Sequence, residues 1–222
     1  MSGHFGTVPR AWPGSTVVCV AAGPSLTPAD VDACRGRARV IAVNRSVELA
    51  PWADAFFAAD GRMWHWEADR LARFAGLTFS LELTAAARAA GCVLLRNRGI
   101  WGLSSDPGAI CNGRNSGYGA INLAVLLGAV RIVLLGYDCG PGPDGAKHWH
   151  PDHPNGAGPT DLIFRSWRGA FRSLVEPLAA AGVTILNASR ATTLDMFPRV
   201  ALADVLDGIL DNQRSTLLES VP

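Results

Sequence analysis

Short, almost wholly apolar segments recur along this chain and alternate with segments of helical periodicity. They are rich in β-branched residues and suit strands buried on both faces, because a half-exposed strand would alternate apolar and polar residues. Strands that alternate with helices are typical of a mainly parallel sheet covered on both sides. We therefore predict an α/β, Rossmann-like fold with helices on both faces and a small lid loop. The segments behind this prediction are 15–21, 39–43, 54–60, 131–135 and 183–187.

The length of 222 residues suits one Rossmann-like domain, 1–222, within which 139–160 forms a lid or active-site loop. The net charge of +1 lacks the basic field of a general nucleic-acid binder. The apolar runs are too short to span a membrane, and we expect no signal peptide. Five scattered cysteines without a CxxC pair indicate reduced thiols, so we expect a cytoplasmic protein. The sequence leaves room for a homo-oligomer.

Local signals predict most of the helices. Ser116 is expected to cap an apolar helix over 117–127. A long amphipathic helix is predicted over 160–181, and Pro177 should kink it or end its regular part. The other predictions are a helix beginning at Thr27, helices at 62–74, 82–90 and 200–210, a strand at 92–96, and a long loop at 97–114.

Small or polar residues follow the predicted strands, although the strands themselves are almost wholly apolar. In parallel α/β sheets the ligand binds outside the carboxyl ends of the strands. These positions therefore converge on one candidate site, and this is the strongest argument from the residues alone. They are Gly23, Pro24 and Ser25 after the first strand, Asn44 and Asp60 after the next two, and Tyr137, Asp138 and Asn187 after the last two.

Two turns before helices have the composition of phosphate sites. The turn 22–25 is small and contains glycine, so its backbone could approach a phosphate, or it could be an ordinary tight turn. The segment 112–117 offers Arg114, Asn115, Ser116 and Gly117 at a helix start, which suits a phosphate or a ribose, or only a capped helix. Neither segment matches a dinucleotide fingerprint or a P-loop.

The loop 138–153 contains three of the five histidines, His148, His150 and His153. They could supply a general base and phosphate contacts, bind a metal ion, or lie in a solvated loop. Their spacing matches no standard zinc pattern, which favours the first interpretation. Asp60 and Asp138 could hold a ribose, bind Mg²⁺, act as a base, or cap the next helix or turn.

Several segments, in this order, resemble the bacterial sialyltransferases of glycosyltransferase family 42. The resemblance covers roughly 16–198, and its motifs are short, so their order carries it. Two of the motifs, Gly-Pro-Ser-Leu at 23–26 and Gly-Tyr-Asp at 136–138, also resemble the family that includes the archaeal 6-hydroxymethylpterin diphosphokinase. Hypothetical proteins of phages and prophages look similar at 44–45, 136–138 and 148–150, which would put the protein in a host cytoplasm. The family-42 segments are 23–26, the strand ending at Asn44, Ser116 with Gly117, 136–138, the histidine loop, and 187–189.

The resemblance implies a role for several of these residues. Gly23, Pro24 and Ser25 would lie by the nucleotide phosphates, Asn44 would contact the nucleotide or sugar, and Ser116 and Gly117 would lie under the donor. One of His148, His150 and His153 would be the general base for the acceptor. The sialyltransferases steady the leaving phosphate with lid tyrosines, whereas 139–160 contains none, so Lys147 or a second histidine would take that role.

These observations predict a nucleotide-dependent transferase, most readily a glycosyltransferase. It would use a CMP-sugar-like donor, an unidentified acceptor and no obligatory cofactor or resident metal. One alternative is a diphosphokinase-like phosphoryl transferase with Mg²⁺ on Asp60 or Asp138. A nucleotide-binding phage accessory protein without catalysis, and a metal site on the histidine loop, are the others.

Overall fold

The computed structural model describes residues 5–151 and 158–208. Seven of its strands form one sheet in the order β5-β4-β3-β2-β1-β8-β9, and every neighbouring pair is parallel. The predicted α/β, Rossmann-like, mainly parallel sheet is confirmed. These strands are β1 Thr16–Val20, β2 Arg39–Val43, β3 Ala55–Ala58, β4 Leu77–Ser80, β5 Val93–Leu94, β8 Arg131–Leu135 and β9 Thr184–Asn187.

Helices cover both faces of the sheet, and successive residues of a strand point to opposite layers. In β1, Val17 and Cys19 belong to one buried cluster, which includes residues of α5, α6 and α7. Val18 and Val20 belong to the other, which includes residues of α1 to α4. The helices are α1 Pro28–Ala33, α2 Gly61–Trp66, α3 Ala68–Leu71, α4 Ala85–Ala89, α5 Ser116–Leu127, α6 Asp161–Arg172 and α7 Val175–Ala180, with a further helical segment at 202–208.

The strand order creates a switch point beside β1. From β1 the chain adds β2, β3, β4 and β5 in sequence on one side, then returns through α5 to place β8 on the other side of β1. The connections leaving β1 and β8 therefore part in opposite directions and leave a crevice between them. That crevice holds the Gly23 turn on one side and Tyr137 on the other.

Three strands were not expected from the sequence, and the strand expected at 92–96 is confined to Val93–Leu94, with Arg96 beginning the next strand. β4 was not anticipated, because its four residues are too few to show a periodicity, and it is defined by pairing with β3 from Ala55↔Leu77 to Ala58↔Ser80. The predicted loop 97–114 contains part of a small parallel sheet formed by β6 Arg96–Gly99 and β7 Ala109–Cys111. The prediction of an unbroken loop there was wrong, because local polarity hid a pairing between distant segments.

Helix boundaries also differ in three places. Asn115, not Ser116, caps α5: its side chain accepts a hydrogen bond from the N–H of Tyr118, and Ser116 is the first helical residue. The predicted helix 62–74 is divided into α2 and α3 at Glu67, a buried carboxylate paired with Arg70 and Arg45. The predicted helix 160–181 is divided into α6 and α7 before Pro177, which lies in the first turn of α7, where its missing N–H leaves no helical hydrogen bond unmade.

Two 12-residue helices, α5 and α6, are the longest in the described part of the chain. Among the residues described, none of the helices has the length and apolar character needed to cross a membrane.

Candidate functional site

A cleft of about 530 Å³ opens at the carboxyl edge of the sheet, over the switch point. We call it the switch-point cleft. Its floor is made by residues that follow β1, β2, β3 and β8 and by the start of α5, and part of the loop 139–160 lies over it. Its lining includes three cationic side chains, Arg62, Arg114 and Lys147, two carboxylates, Asp60 and Glu82, and the imidazole-bearing His148. Ten of the residues predicted from the sequence line it directly: Gly23, Pro24, Asn44, Asp60, Arg114, Asn115, Ser116, Gly117, Tyr137 and His148.

The turn after β1 is held across the switch point by Asp138. The Asp138 carboxylate accepts one hydrogen bond from the Ser25 N–H at 2.7 Å and another from the Ser25 hydroxyl at 2.9 Å. Burial raises the pKa of Asp138, and the two bonds from Ser25 oppose that rise. A side chain at Gly23 would meet an Asp138 oxygen at 2.3 Å and the Gly136 carbonyl at 2.6 Å, so this approach requires glycine. Asp138 thus holds the Gly23 turn against the end of β8.

Asn44 follows β2, lines the cleft and begins a short 3₁₀ helix, Asn44–Glu48. Its φ is +54°, a left-handed conformation that costs most side-chain-bearing residues about 1–2 kcal/mol. Its side-chain Oδ1 is buried, and no donor among the described residues reaches it. A buried acceptor without a donor is costly in a fold, so a ligand that supplies an N–H or O–H would relieve that cost.

The amino end of α5 opens into the cleft. The Asn115 side chain accepts a hydrogen bond from the N–H of Tyr118, and its backbone carbonyl accepts one from the N–H of Gly119. Ser116 and Gly117 lie in the first turn and line the cleft. Gly117 is packed so closely that an added Cβ would lie 2.9 Å from the Tyr137 ring. The amino end of a 12-residue helix attracts anions, because its first N–H groups and its dipole both favour negative charge.

Tyr137 lies under that helix start and is one of the buried residues that line the cleft. It is 2% exposed, and its hydroxyl donates a hydrogen bond to the carbonyl of Gly117 at 3.0 Å. Burial raises its pKa well above the ordinary range, so it stays neutral. Next to it, Cys139 also lines the cleft, and burial raises its pKa to about 12. It presents a neutral thiol there.

The two described histidines of the loop differ in their position relative to the cleft. His148 lines the switch-point cleft, whereas His150 is 6% exposed and lies outside its lining. Their rings are stacked at 4.8 Å between centroids and 10° between planes. His150 Nδ1 lies 2.6 Å from the Pro151 carbonyl, which can only accept, so this nitrogen carries the proton. His153 lies outside the described residues.

Backbone groups of the loop bind the turn after β1 and the helix α6. The Trp149 N–H donates to the carbonyl of Ala22, and the Arg168 guanidinium donates to the carbonyl of Cys139. These bonds hold Lys147 and His148 over the Gly23 turn. The side of the cleft below the loop therefore combines a primary amine, an imidazole and the exposed guanidinium of Arg114.

Besides His150, three predicted residues lie outside the lining of the switch-point cleft: Ser25, Asp138 and Asn187. The Ser25 hydroxyl and the Asp138 carboxylate bind each other and face a neighbouring cavity. Asn187 is fully buried: its Oδ1 accepts from the Ser189 N–H, and its amide donates to Thr192. It therefore shapes the loop after β9. Asp60 does line the cleft, but it also caps α2 and binds the Arg62 guanidinium, which is the capping role that the sequence left open.

Sequence reasoning missed several residues of the cleft. Arg62 and Glu82 lie in regions predicted as helix and carry no motif. Glu82 reaches the site because it accepts a hydrogen bond from the N–H of Gly61. Trp167 and Phe164 were predicted only as the apolar face of a helix. The apolar stripe of α6 was a usable signal, since the amino end of this helix faces the cleft. The positions of the missed residues outside α6 depend on the strand order. The residues missed are Arg62, Met63, Trp66, Glu82, Ile163, Phe164 and Trp167.

Metal-ligating side chains do not gather within 5–151 and 158–208: no three His, Cys, Asp or Glu residues there form a cluster that could hold a metal ion. Asp60 and Glu82 are the two carboxylates in the lining of the cleft among those residues.

Comparison of the chain with models of known protein families found no match, and searches of curated proteins and of solved structures found none either.

Proposed function

We propose that the protein is a nucleotide-dependent transferase, and that the reaction is a glycosyl transfer from a nucleotide-sugar donor. One observation carries this proposal: the amino end of α5 opens into a cleft at the switch point, where Arg114 and Lys147 supply positive charge and His148 lies in the same wall. A helix start with flanking cations suits the phosphates of a nucleotide. An imidazole beside it suits removal of a proton from an acceptor.

The donor would bind along the floor of the cleft. Its phosphates would approach the first turn of α5 and the small turn at Gly23, with Arg114 and Lys147 around them. Asn44 would accept a hydrogen bond from an amino or hydroxyl group of the base or sugar, which gives its buried Oδ1 a donor. The CMP-sugar type of donor, expected from the family resemblance, has such groups on both its base and its sugar.

In the transfer, His148 takes the proton of the acceptor hydroxyl as the acceptor oxygen attacks the anomeric carbon of the donor. The bond from that carbon to the phosphate oxygen breaks, and the nucleotide leaves with the electron pair. Negative charge grows on the departing phosphate, so preorganised cations and backbone N–H groups close to it would lower the barrier most. His148 is chosen over His150 because it lines the cleft and His150 does not.

Thermal unfolding with CMP, CDP, UDP, GDP and ATP, each at millimolar concentration and with cytidine as the uncharged match, tests the binding step. We expect at least one nucleotide to raise the Tm and cytidine to raise it less, because binding to the folded state stabilises it. Arg114→Gln should reduce the shift. Arg98→Gln is the matched control, since Arg98 is an exposed arginine outside the lining of the cleft. If none of the nucleotides raises the Tm, the proposal is overturned.

A second candidate is phosphoryl transfer assisted by Mg²⁺. The observation in its favour is that two carboxylates, Asp60 and Glu82, line the same cleft beside the amino end of α2. Under this candidate, stabilisation by ATP should require Mg²⁺ and disappear with EDTA, whereas the proposed glycosyl transfer should survive EDTA. Binding of a nucleotide without turnover of any donor would instead support a non-catalytic nucleotide-binding protein.

A further inference from the structure

A second cavity of about 770 Å³ lies on the other side of the Gly23 turn. Its size is within the range of about 300–1,000 Å³ that is usual for small-ligand sites. Three residues line both it and the switch-point cleft: Pro24, Gly140 and His148. The two cavities therefore meet at a boundary to which His148 contributes.

The two cavities differ in charge. The switch-point cleft is lined by Arg62, Arg114 and Lys147, which suits a phosphate. Among the described residues that line the second cavity there is no arginine or lysine, and its acids are Asp138 and Asp144. Such a lining disfavours a phosphate, because the anion would lose its water without gaining a cation. The second cavity therefore suits an uncharged ligand.

The walls of the second cavity combine apolar surface with a few polar groups. Pro24, Pro141, Pro143 and Trp149 contribute rings. Asp144 is exposed, and its Oδ1 accepts a hydrogen bond from the N–H of Ala146, which is the one hydrogen bond that its carboxylate makes with the described residues. The other carboxylate oxygen faces no donor there and can accept from a ligand hydroxyl in a charge-assisted hydrogen bond.

A sugar ring matches these walls. A pyranose has apolar C–H surface on its faces and hydroxyl groups around its rim, so it can pack against proline and indole rings while its hydroxyls bind a carboxylate.

We propose that this second cavity is the acceptor subsite and that the acceptor is an uncharged carbohydrate. The proposal rests on the proposed function, because it assigns the nucleotide-sugar donor to the switch-point cleft and the acceptor to the other side of His148. The acceptor hydroxyl would reach His148 from the second cavity, lose its proton there and attack the donor carbon in the cleft. The new bond joins the acceptor oxygen to the sugar, and the nucleotide leaves.

The test is saturation-transfer NMR on the full chain with methyl β-galactoside, methyl β-glucoside and lactose as probes. Galactose 6-phosphate is the anionic match, and a short serine-containing peptide is the competing class of acceptor. Each probe is measured with and without the nucleotide that raises the Tm most. We expect at least one neutral glycoside to bind, and galactose 6-phosphate to bind more weakly than its neutral match.

Two variants and one control locate the binding. Asp144→Asn keeps the acceptor for the Ala146 N–H and removes the charge, so glycoside binding should weaken about tenfold. Ala146→Phe should abolish it by filling the cavity. Asp106→Asn is the matched control, because Asp106 also accepts the N–H of the residue two positions later but lines neither cavity. It should leave glycoside binding unchanged, and all three variants should keep the nucleotide-induced Tm shift.

The outcomes separate the two proposals. The acceptor proposal is overturned if a nucleotide raises the Tm but no glycoside binds. It is also overturned if a glycoside binds Asp144→Asn and Ala146→Phe as well as it binds the wild type. In both cases the proposed function stands. If the serine peptide binds in place of the glycosides, the acceptor class is wrong. If no nucleotide raises the Tm, the proposed function itself fails. Should Ala146→Phe not fold, Asp144→Asn decides the location alone.

Discussion

Asp138 and Ser25 are 113 positions apart in the chain, and the Asp138 carboxylate accepts both the N–H and the hydroxyl of Ser25, at 2.7 and 2.9 Å. This pair ties the turn after β1 to the end of β8, the two neighbouring strands at the switch point. Asp138 is 4% exposed, so its charge is held by hydrogen bonds and has little contact with water. The cleft and the second cavity both depend on the turn that this pair holds.

The first prediction concerns the pH dependence that Asp138 gives to stability. Burial raises its folded-state pKa above the ordinary value of 3.8, so the folded protein binds the proton more tightly than the unfolded chain does. The stability from this group is complete below the unfolded pKa and is lost as pH rises through the folded pKa. Asp138→Asn removes that loss and can still pair with Ser25, its amide facing the hydroxyl. The difference in unfolding free energy, variant minus wild type, should therefore increase as pH rises from about 3.5 to about 7.

Urea denaturation across this pH range measures the difference, and denaturation below pH 3.8 follows the control, whose folded-state pKa lies under that value. Asp106→Asn is the matched control with the opposite sign, since hydrogen bonding by Gly108 and Arg96 lowers the pKa of Asp106. There the wild type should lose stability, relative to the variant, as pH falls through the folded pKa. Parallel pH profiles for the wild type and Asp138→Asn would contradict the prediction.

The second prediction separates stability from binding at Asn44. Asn44→Gly should leave the fold as stable as the wild type or stabilise it by up to about 1 kcal/mol, because glycine adopts a φ of +54° without strain and no unpaired Oδ1 remains. Asn44→Ala keeps the strain and should be less stable than Asn44→Gly. Both should reduce the nucleotide-induced Tm shift. A glycine variant that binds nucleotide as well as the wild type would show that Asn44 does not contact the ligand.

The third prediction distinguishes the histidines. His148→Gln should lower turnover of a nucleotide sugar by about 100- to 10,000-fold, the usual contribution of a general base, while the nucleotide-induced Tm shift persists. His150→Gln should lower it less, because His150 is stacked on His148 and lies outside the lining of the cleft. His65→Gln, at an exposed histidine of α2, is the control. Turnover is measured as the amount of nucleotide released from the donor over time. A larger loss with His150→Gln than with His148→Gln would reverse the assignment.

The fourth prediction uses two helical glycines with opposite surroundings. Gly169 lies inside α6 with open space where a Cβ would be, so Gly169→Ala should stabilise the protein by about 0.5–1 kcal/mol. Gly119 lies inside α5 with the Phe57 ring 2.7 Å from that position, so Gly119→Ala should destabilise it by about 1–3 kcal/mol. Denaturant unfolding measures both. The same sign for the two variants would contradict this account of the packing of α5 against β3.

The sequence predicted the strands best where they are buried on both faces. β1, β2 and β8 each lie within one residue of the expected bounds, because four consecutive apolar residues have few alternatives to a central strand. β9 lies at the edge of the sheet and was also found within one residue, although only Ile185 and Leu186 in it are apolar. β4 escaped prediction because it is defined by its pairing with β3. The helix starts at Thr27 and Thr160 were also predictable, since each hydroxyl caps its helix within a few residues of sequence.

The sequence predicted which strand ends contribute residues to the candidate site. It predicted less well what each of those residues contacts. Small and polar residues after apolar strands predicted the edge of the sheet at which the switch-point cleft lies, and Gly23, Asn44 and Ser116 are among the predicted residues that line it. Whether an acid at such a position faces a ligand or binds a neighbouring turn depends on partners distant in the chain. Asp138 has its partner 113 residues away in Ser25, and no local pattern reports that distance.

The sequence by itself determined the class of fold and the edge of the sheet that carries the polar residues, because strand burial and helix capping are set by neighbours along the chain. Only the tertiary structure decided the strand order and the pairing of Asp138 with Ser25. It also decided that His148, and not His150, lines the cleft, and that two cavities share His148 in their linings. Each of these depends on contacts between segments that are far apart in sequence, which residue patterns do not encode.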